Sequence, residues 1–146
     1  GTGALAAAVL AARPKELRHD WIVVGRDRAR TAAFAAAHGA AADSTARFLG
    51  TASPLTALIA ATRCDEPLLT AGELAARCAP GAPVVDLGLP RNLAADARDV
   101  VDLADLADLE RHAPGDRHDL ATTIALIEQW IEQALARRER HSGVTP

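Results

Sequence analysis

A chain of 146 residues has room for one ordinary domain, and with 49% apolar residues it can bury a sizeable core. Sixteen basic against nineteen acidic residues leave a net charge of −3, which argues against a general polyanion binder and against DNA as a partner. No apolar run approaches the roughly 18 residues of a membrane span, and no secretory signal is recognisable, so a cytoplasmic protein with no membrane partner is expected. Cys64 and Cys78 lack CxxC spacing and the five His show no ligand spacing, so neither a disulfide scaffold nor a metal site is expected.

With two Trp, two Phe and no Tyr or Met, the apolar share is mostly Ala, Leu and Val, which suits closely packed helices. In chain order, residues 3–12 predict a helix that stops at Arg13-Pro14, because proline holds the residue before it away from helical backbone. Trp21-Ile22-Val23-Val24 reads as a short buried strand. Residues 28–38 predict a second helix, closed by Gly39 in the position that favours left-handed backbone. Residues 40–56 are weakly patterned, and a short strand and loops are expected there. Leu58–Ala61 is the next strand. Thr70 with Glu73 forms an N-cap signature for a short helix to about Cys78, ended by Ala79-Pro80-Gly81. Pro83–Pro90 and residues 99–103 offer two further strands. The alternation of strand and helix predicts an α/β, Rossmann-like doubly wound parallel sheet over 1–112.

From 116 to 140 there is no breaker. Leu120, Ile124, Ile127, Ile131 and Leu135 trace one stripe of a helix, with Trp130 at its side or shoulder. Residues 113–146 are therefore read as a long C-terminal helix, joined to the body through Arg111–Gly115.

Gly1-Thr2-Gly3-Ala4-Leu5-Ala6 fits the G-x-G-x-x-G/A dinucleotide fingerprint. Gly1 permits a tight turn, Gly3 lets backbone approach a pyrophosphate, and Ala6 allows close helix–strand packing, with phosphate on the N–H groups of the helix start. The plain alternative is a turn before a packing helix. Such a loop follows a strand, so a first strand of the sheet is expected ahead of Gly1. At the end of the next strand an NAD reader places an acidic residue. Here Gly25-Arg26-Asp27-Arg28 stands instead, leaving room for a 2′-phosphate and offering it guanidinium groups, which favours NADPH. Asp27 is either an anion near that phosphate or the cap of the following helix. Thr62-Arg63-Cys64 and Gly88-Leu89-Pro90-Arg91-Asn92 follow strands, where ligands of such sheets lie. Arg91 reads equally as a substrate contact or a surface ion pair. Cys64, with no His nearby in sequence, reads as a small hydrophobe rather than a nucleophile.

Val84-Val-Asp-Leu-Gly-Leu-Pro-Arg-Asn92, with Ala60-Ala-Thr62, Glu66–Thr70 and Val101–Leu106 in order, resembles the NADPH-binding domain of glutamyl-tRNA reductase. The helix from Asp116 is similar to the start of that family's spinal helix, which leads to dimerisation. The resemblance implies that Gly1, Thr2, Gly3, Ala4 and Leu5 wrap the pyrophosphate, and that Gly25, Arg26 and Asp27 meet the adenosine ribose and its phosphate. It implies that Thr62, Arg63, Gly88, Leu89 and Pro90 border the nicotinamide. The family's activity is reduction of a glutamyl thioester to glutamate-1-semialdehyde, on the way to tetrapyrroles. The thioester cysteine and the contacts to glutamyl-tRNA belong to a separate N-terminal domain without a counterpart in these residues. The expectation is thus a cofactor-binding part with no catalytic residue of its own, dimeric through the C-terminal helix. The alternatives are a non-catalytic Rossmann module acting in dimerisation, or an NADP dehydrogenase of shikimate dehydrogenase type.

Overall fold

The computed structural model describes residues 1–13, 20–51, 54–112 and positions 125, 127, 129 and 133. The chain divides into two compact units, Gly1–Ser53 and Pro54–Pro146. All strand pairings are parallel, and the strands are linked through helices, giving a Rossmann-like α/β architecture.

The first unit opens with helix α1 (Ala4–Ala12), followed by strand β1 (Ile22–Gly25), helix α2 (Arg28–Ala37), strand β2 (Ala41–Ser44) and the short helix α3 (Thr45–Gly50). β1 pairs with β2 from Ile22 opposite Ala41 to Gly25 opposite Ser44. One side chain from each major element makes the core: Leu10 of α1, Val23 of β1 and Ala35 of α2, flanked by Trp21, Phe34 and Ala40. The small Ala35 lets α2 lie close to its strands. Gly39 adopts φ 60° and reverses the chain after α2, as its place in the sequence predicts. The weakly patterned stretch after it holds an unforeseen helix. Its start is set by Ser44, whose hydroxyl accepts from the Arg47 N–H at 3.2 Å.

In the second unit, strand β3 (Leu58–Ala60) precedes helix α4 (Ala71–Arg77), strand β4 (Pro83–Asp86), a 3₁₀ turn (Ala95–Asp99), strand β5 (Asp102–Asp105) and helix α5 (Leu106–His112). The sheet order is β3-β4-β5, and the central β4 is buried along its whole length. That is why Val84 and Val85 form a continuous apolar run rather than an alternating one. Leu74 of α4, Leu87, Leu93, Ala97 and Ala104 complete this core. The strand expected over 83–90 ends at Asp86, because the residues after it turn back onto the Asp86 carboxylate. The strand expected over 99–103 begins three residues later. The 3₁₀ turn takes the earlier positions, and the N–H groups of Val100 and Val101 donate back to the Ala97 carbonyl. α5 was not foreseen either.

The helix expected over 116–140 lies outside the described residues except at 125, 127, 129 and 133, which are helical. Ile127 of the expected stripe is buried. Among the described residues no helix is long and apolar enough to cross a membrane.

The start of α4 is a full capping box: the Glu73 N–H donates to Thr70 Oγ1, and the Thr70 N–H donates to Glu73 Oε2 at 2.8 Å. Thr70→Ala is expected to lower stability by about 1 kcal/mol, read as a shift of the urea midpoint, while Thr70→Ser keeps it.

Candidate functional site

In the first unit, the glycine loop leads straight into α1. Gly3 has extended backbone (φ −86°, ψ 176°) and stands in the N-cap position, and no side chain caps the helix. A Cβ added to Gly3 meets nothing within 4 Å. The fold's own packing therefore gives no reason for glycine here. The Gly1 nitrogen donates to the Val24 carbonyl at 2.8 Å, tying the loop to the end of β1.

Gly25 has a different reason. A Cβ on it would collide with the Thr31 hydroxyl. Thr31 is buried, and its hydroxyl donates to the Asp27 carbonyl at 2.6 Å. The tight turn from β1 into α2 thus demands glycine before any ligand is considered. Arg26 follows, exposed. Asp27 caps α2: its carboxylate accepts from the Arg30 N–H at 2.9 Å.

The second unit places the other predicted residues on the loops that follow β3 and β4. The organiser is a residue that the sequence reading did not select. Asp86, at the end of β4, is 2% exposed and accepts four hydrogen bonds. One oxygen takes the Gly88 N–H and the Asn92 side-chain amide, both at 2.9 Å. The other takes the N–H groups of Asn92 at 2.9 Å and Leu93 at 3.0 Å. The turn is drawn around one carboxylate, so that Gly88 is buried while Leu89, 81% exposed, stands out at its tip beside Pro90.

Asn92 is fully buried and reaches the neighbouring loop. Its Oδ1 accepts from the Thr62 hydroxyl at 2.6 Å and from the Cys64 thiol at 3.2 Å. Thr62, Cys64 and Gly88 are brought together here; Arg63 is exposed. Cys64 is half-buried and serves as a hydrogen-bond donor. A Cβ on Gly88 would fall on the Asn92 amide nitrogen and lie 2.8 Å from the Pro90 carbonyl oxygen. The signal that would have found this network is the sequence itself: an Asp ending a strand, a Gly two residues on and an Asn six residues on.

Arg91 settles as an ion pair with Asp105, the buried last residue of β5. Arg98 reaches the same carboxylate at 2.6 Å and also Asp108, which pairs with Arg111. Asp105 and Asp108 cap α5 reciprocally, each accepting the other's N–H at 2.9 and 3.0 Å. Burial on its own raises the Asp105 carboxyl, but the Asp108 N–H, Arg98 and Arg91 outweigh it and hold Asp105 below its ordinary 3.8. Among the described residues, no three His, Cys, Asp or Glu side chains are grouped to hold a metal ion.

The family model described as shikimate / quinate 5-dehydrogenase matches residues 1–112, the span that contains both sets of loops. The chain belongs to this family. Membership makes it an NAD(P)-binding domain of dehydrogenase type. Among solved structures, the chain is similar to the glutamyl-tRNA reductase from Methanopyrus kandleri, at 16% identity and a TM-score of 0.42. That similarity covers 96% of this chain and 45% of the other, so the chain spans less than half the length of that neighbour. No curated protein sequence matches it.

Gly88→Ala is expected to destabilise the protein by about 3 kcal/mol in urea unfolding, from overpacking and a broken buried hydrogen bond. Gly72→Ala in α4, where a Cβ meets nothing within 4 Å, is expected to be neutral or slightly stabilising. Asp105 adds a pH dependence. A carboxyl depressed in the native state contributes its stability above the unfolded value and loses it as pH falls through the native one. The stability gap between wild type and Asp105→Asn should therefore stay constant near neutrality and close on acidification below 3.8. A gap that widens in acid contradicts this.

Proposed function

We propose that the chain is the NADPH-binding part of a reductase of the glutamyl-tRNA reductase kind. In this reading Gly1, Thr2, Gly3, Ala4 and Leu5 hold the pyrophosphate. Gly25, Arg26 and Asp27 meet the ribose and its phosphate. Thr62, Arg63, Gly88, Leu89 and Pro90 border the nicotinamide. The observation that carries the cofactor choice is the turn after β1. Arg26 is exposed next to a glycine, no acidic side chain holds the place of an NAD reader, and the Asp27 carboxylate is engaged in capping α2. The bare N-terminus of α1 over Gly3 suits a pyrophosphate, because its first N–H groups have no side-chain acceptor and the helix dipole favours an anion there.

When bound, NADPH supplies a hydride. With a thioester as acceptor, hydride and a proton yield an aldehyde and free the thiol. The chain's own residues bind and orient: Leu89, almost fully exposed beside Pro90, offers an apolar surface suited to the uncharged face of a reduced nicotinamide. No residue here is assigned to the chemistry of the acceptor. The Val84–Asn92 stretch supports the glutamyl thioester as substrate, and homodimerisation through 116–140 belongs to the same reading. A second reading, an NADP dehydrogenase acting on a shikimate-like alcohol, is favoured by the family match over 1–112.

Calorimetric titration of the full chain is expected to show NADPH binding well ahead of NADH, and Arg26→Ala weakening NADPH about tenfold or more. Equal affinity for both cofactors, or no effect of Arg26→Ala, overturns the assignment. The two readings of the substrate separate by assay: NADPH oxidised in the presence of a glutamyl thioester supports the first, and NADP reduced by shikimate or quinate the second.

A further inference from the structure

The network around Asn92 has a direction. Asp86 accepts at both oxygens, so the Asn92 side chain must turn its NH₂ to Asp86 and its carbonyl oxygen to Thr62. That oxygen has no hydrogen, so the short bond to Thr62, at 2.6 Å, uses the threonine's single proton. What remains on Thr62 Oγ1 is lone pairs alone. A hydroxyl ordinarily offers a ligand either role; this one is committed to a single role by a carboxylate two hydrogen bonds away. Thr62 is half-buried at the carboxyl end of β3, on one of the loops assigned above to the nicotinamide.

Resting on that assignment, we propose that Asn92 is a positioning residue that fixes Thr62 as a hydrogen-bond acceptor for the carboxamide N–H of the nicotinamide. Asp86 sets the orientation of Asn92, and Asn92 in turn joins the loop after β3 to the loop after β4. The site then selects a nicotinamide with an N–H donor. It discriminates against a ring carrying only a ketone, because neither group in such a pair has a proton to share.

The test compares three probes on the full chain by calorimetry: NADPH, its acetylpyridine analogue, in which a methyl ketone replaces the carboxamide, and 2′,5′-ADP, which has no nicotinamide. Wild type should prefer NADPH to the analogue. Thr62→Val should weaken NADPH about 3- to 10-fold, leave 2′,5′-ADP unchanged and erase the preference over the analogue, with Thr62→Ser restoring it. Asn92→Ala, which frees the Thr62 proton to donate to a ketone, should narrow the preference over the analogue, and added to Thr62→Val it should change that preference no further, since both act through one hydrogen bond. Thermal melting identifies any variant that fails to fold, and Thr62→Val alone then decides. Thr62→Val binding NADPH like wild type, or losing NADPH and 2′,5′-ADP equally, overturns the proposal while leaving the cofactor reading intact. Wild type that binds neither NADPH nor 2′,5′-ADP overturns both.

Discussion

The second unit is organised by one buried carboxylate. Asp86 ends the central strand, and its two oxygens satisfy four N–H donors from residues 88, 92 and 93. Without it, three backbone amides and a side-chain amide would be buried with no acceptor, at about 1–3 kcal/mol each. With it, a loop containing two exposed residues, Leu89 and Pro90, is held as firmly as the strand it leaves. The paired backbone beyond the turn depends on it too: the Asn92 carbonyl accepts from the Leu68 N–H at 2.6 Å, and the Ala94 N–H donates to the Leu69 carbonyl at 3.0 Å. One acidic side chain thereby sets the course of the chain from the end of β4 to the start of the 3₁₀ turn.

Helix starts follow a common rule with one exception. Asp27, Ser44, Thr70 and Asp105 each place a side-chain oxygen on an N–H of the first turn of α2, α3, α4 and α5. α1 begins on Gly3 with no such oxygen. Among the α-helices whose starts are described, α1 is thus the one whose first N–H groups meet no side-chain oxygen of the cap residue. Asp27, the acidic residue beside Arg26, is part of the rule: one of its carboxylate oxygens caps the helix that follows it.

Much of this was legible in the residues. β1 was visible as Ile22-Val23-Val24, and β4 as an apolar run that a buried central strand requires. Gly39 and the Thr70–Glu73 pair marked ends that local chemistry dictates. Two short helices escaped, α3 and α5, because each is six or seven residues long and carries no apolar period. Only their caps, Ser44 and Asp105, announced them. In the candidate site, the glycine loop and Arg26 were readable because backbone conformation and charge act locally. Asp86 and Asn92 were not, because their roles depend on partners brought together by the sheet, Thr62 lying 30 residues from Asn92. The reason for Gly25 was also nonlocal: Thr31 occupies the space.

Gly88 and Asn92 occupy overlapping space, and this has a consequence for how the site can change. Any side chain at 88 needs the room that the amide at 92 now fills, while a smaller residue at 92 strips Thr62 of its acceptor and Asp86 of one of its four donors. Neither position can drift first at low cost. The tip differs: the Leu89 side chain is 81% exposed, so a change there leaves the buried contacts among Asp86, Gly88 and Asn92 untouched.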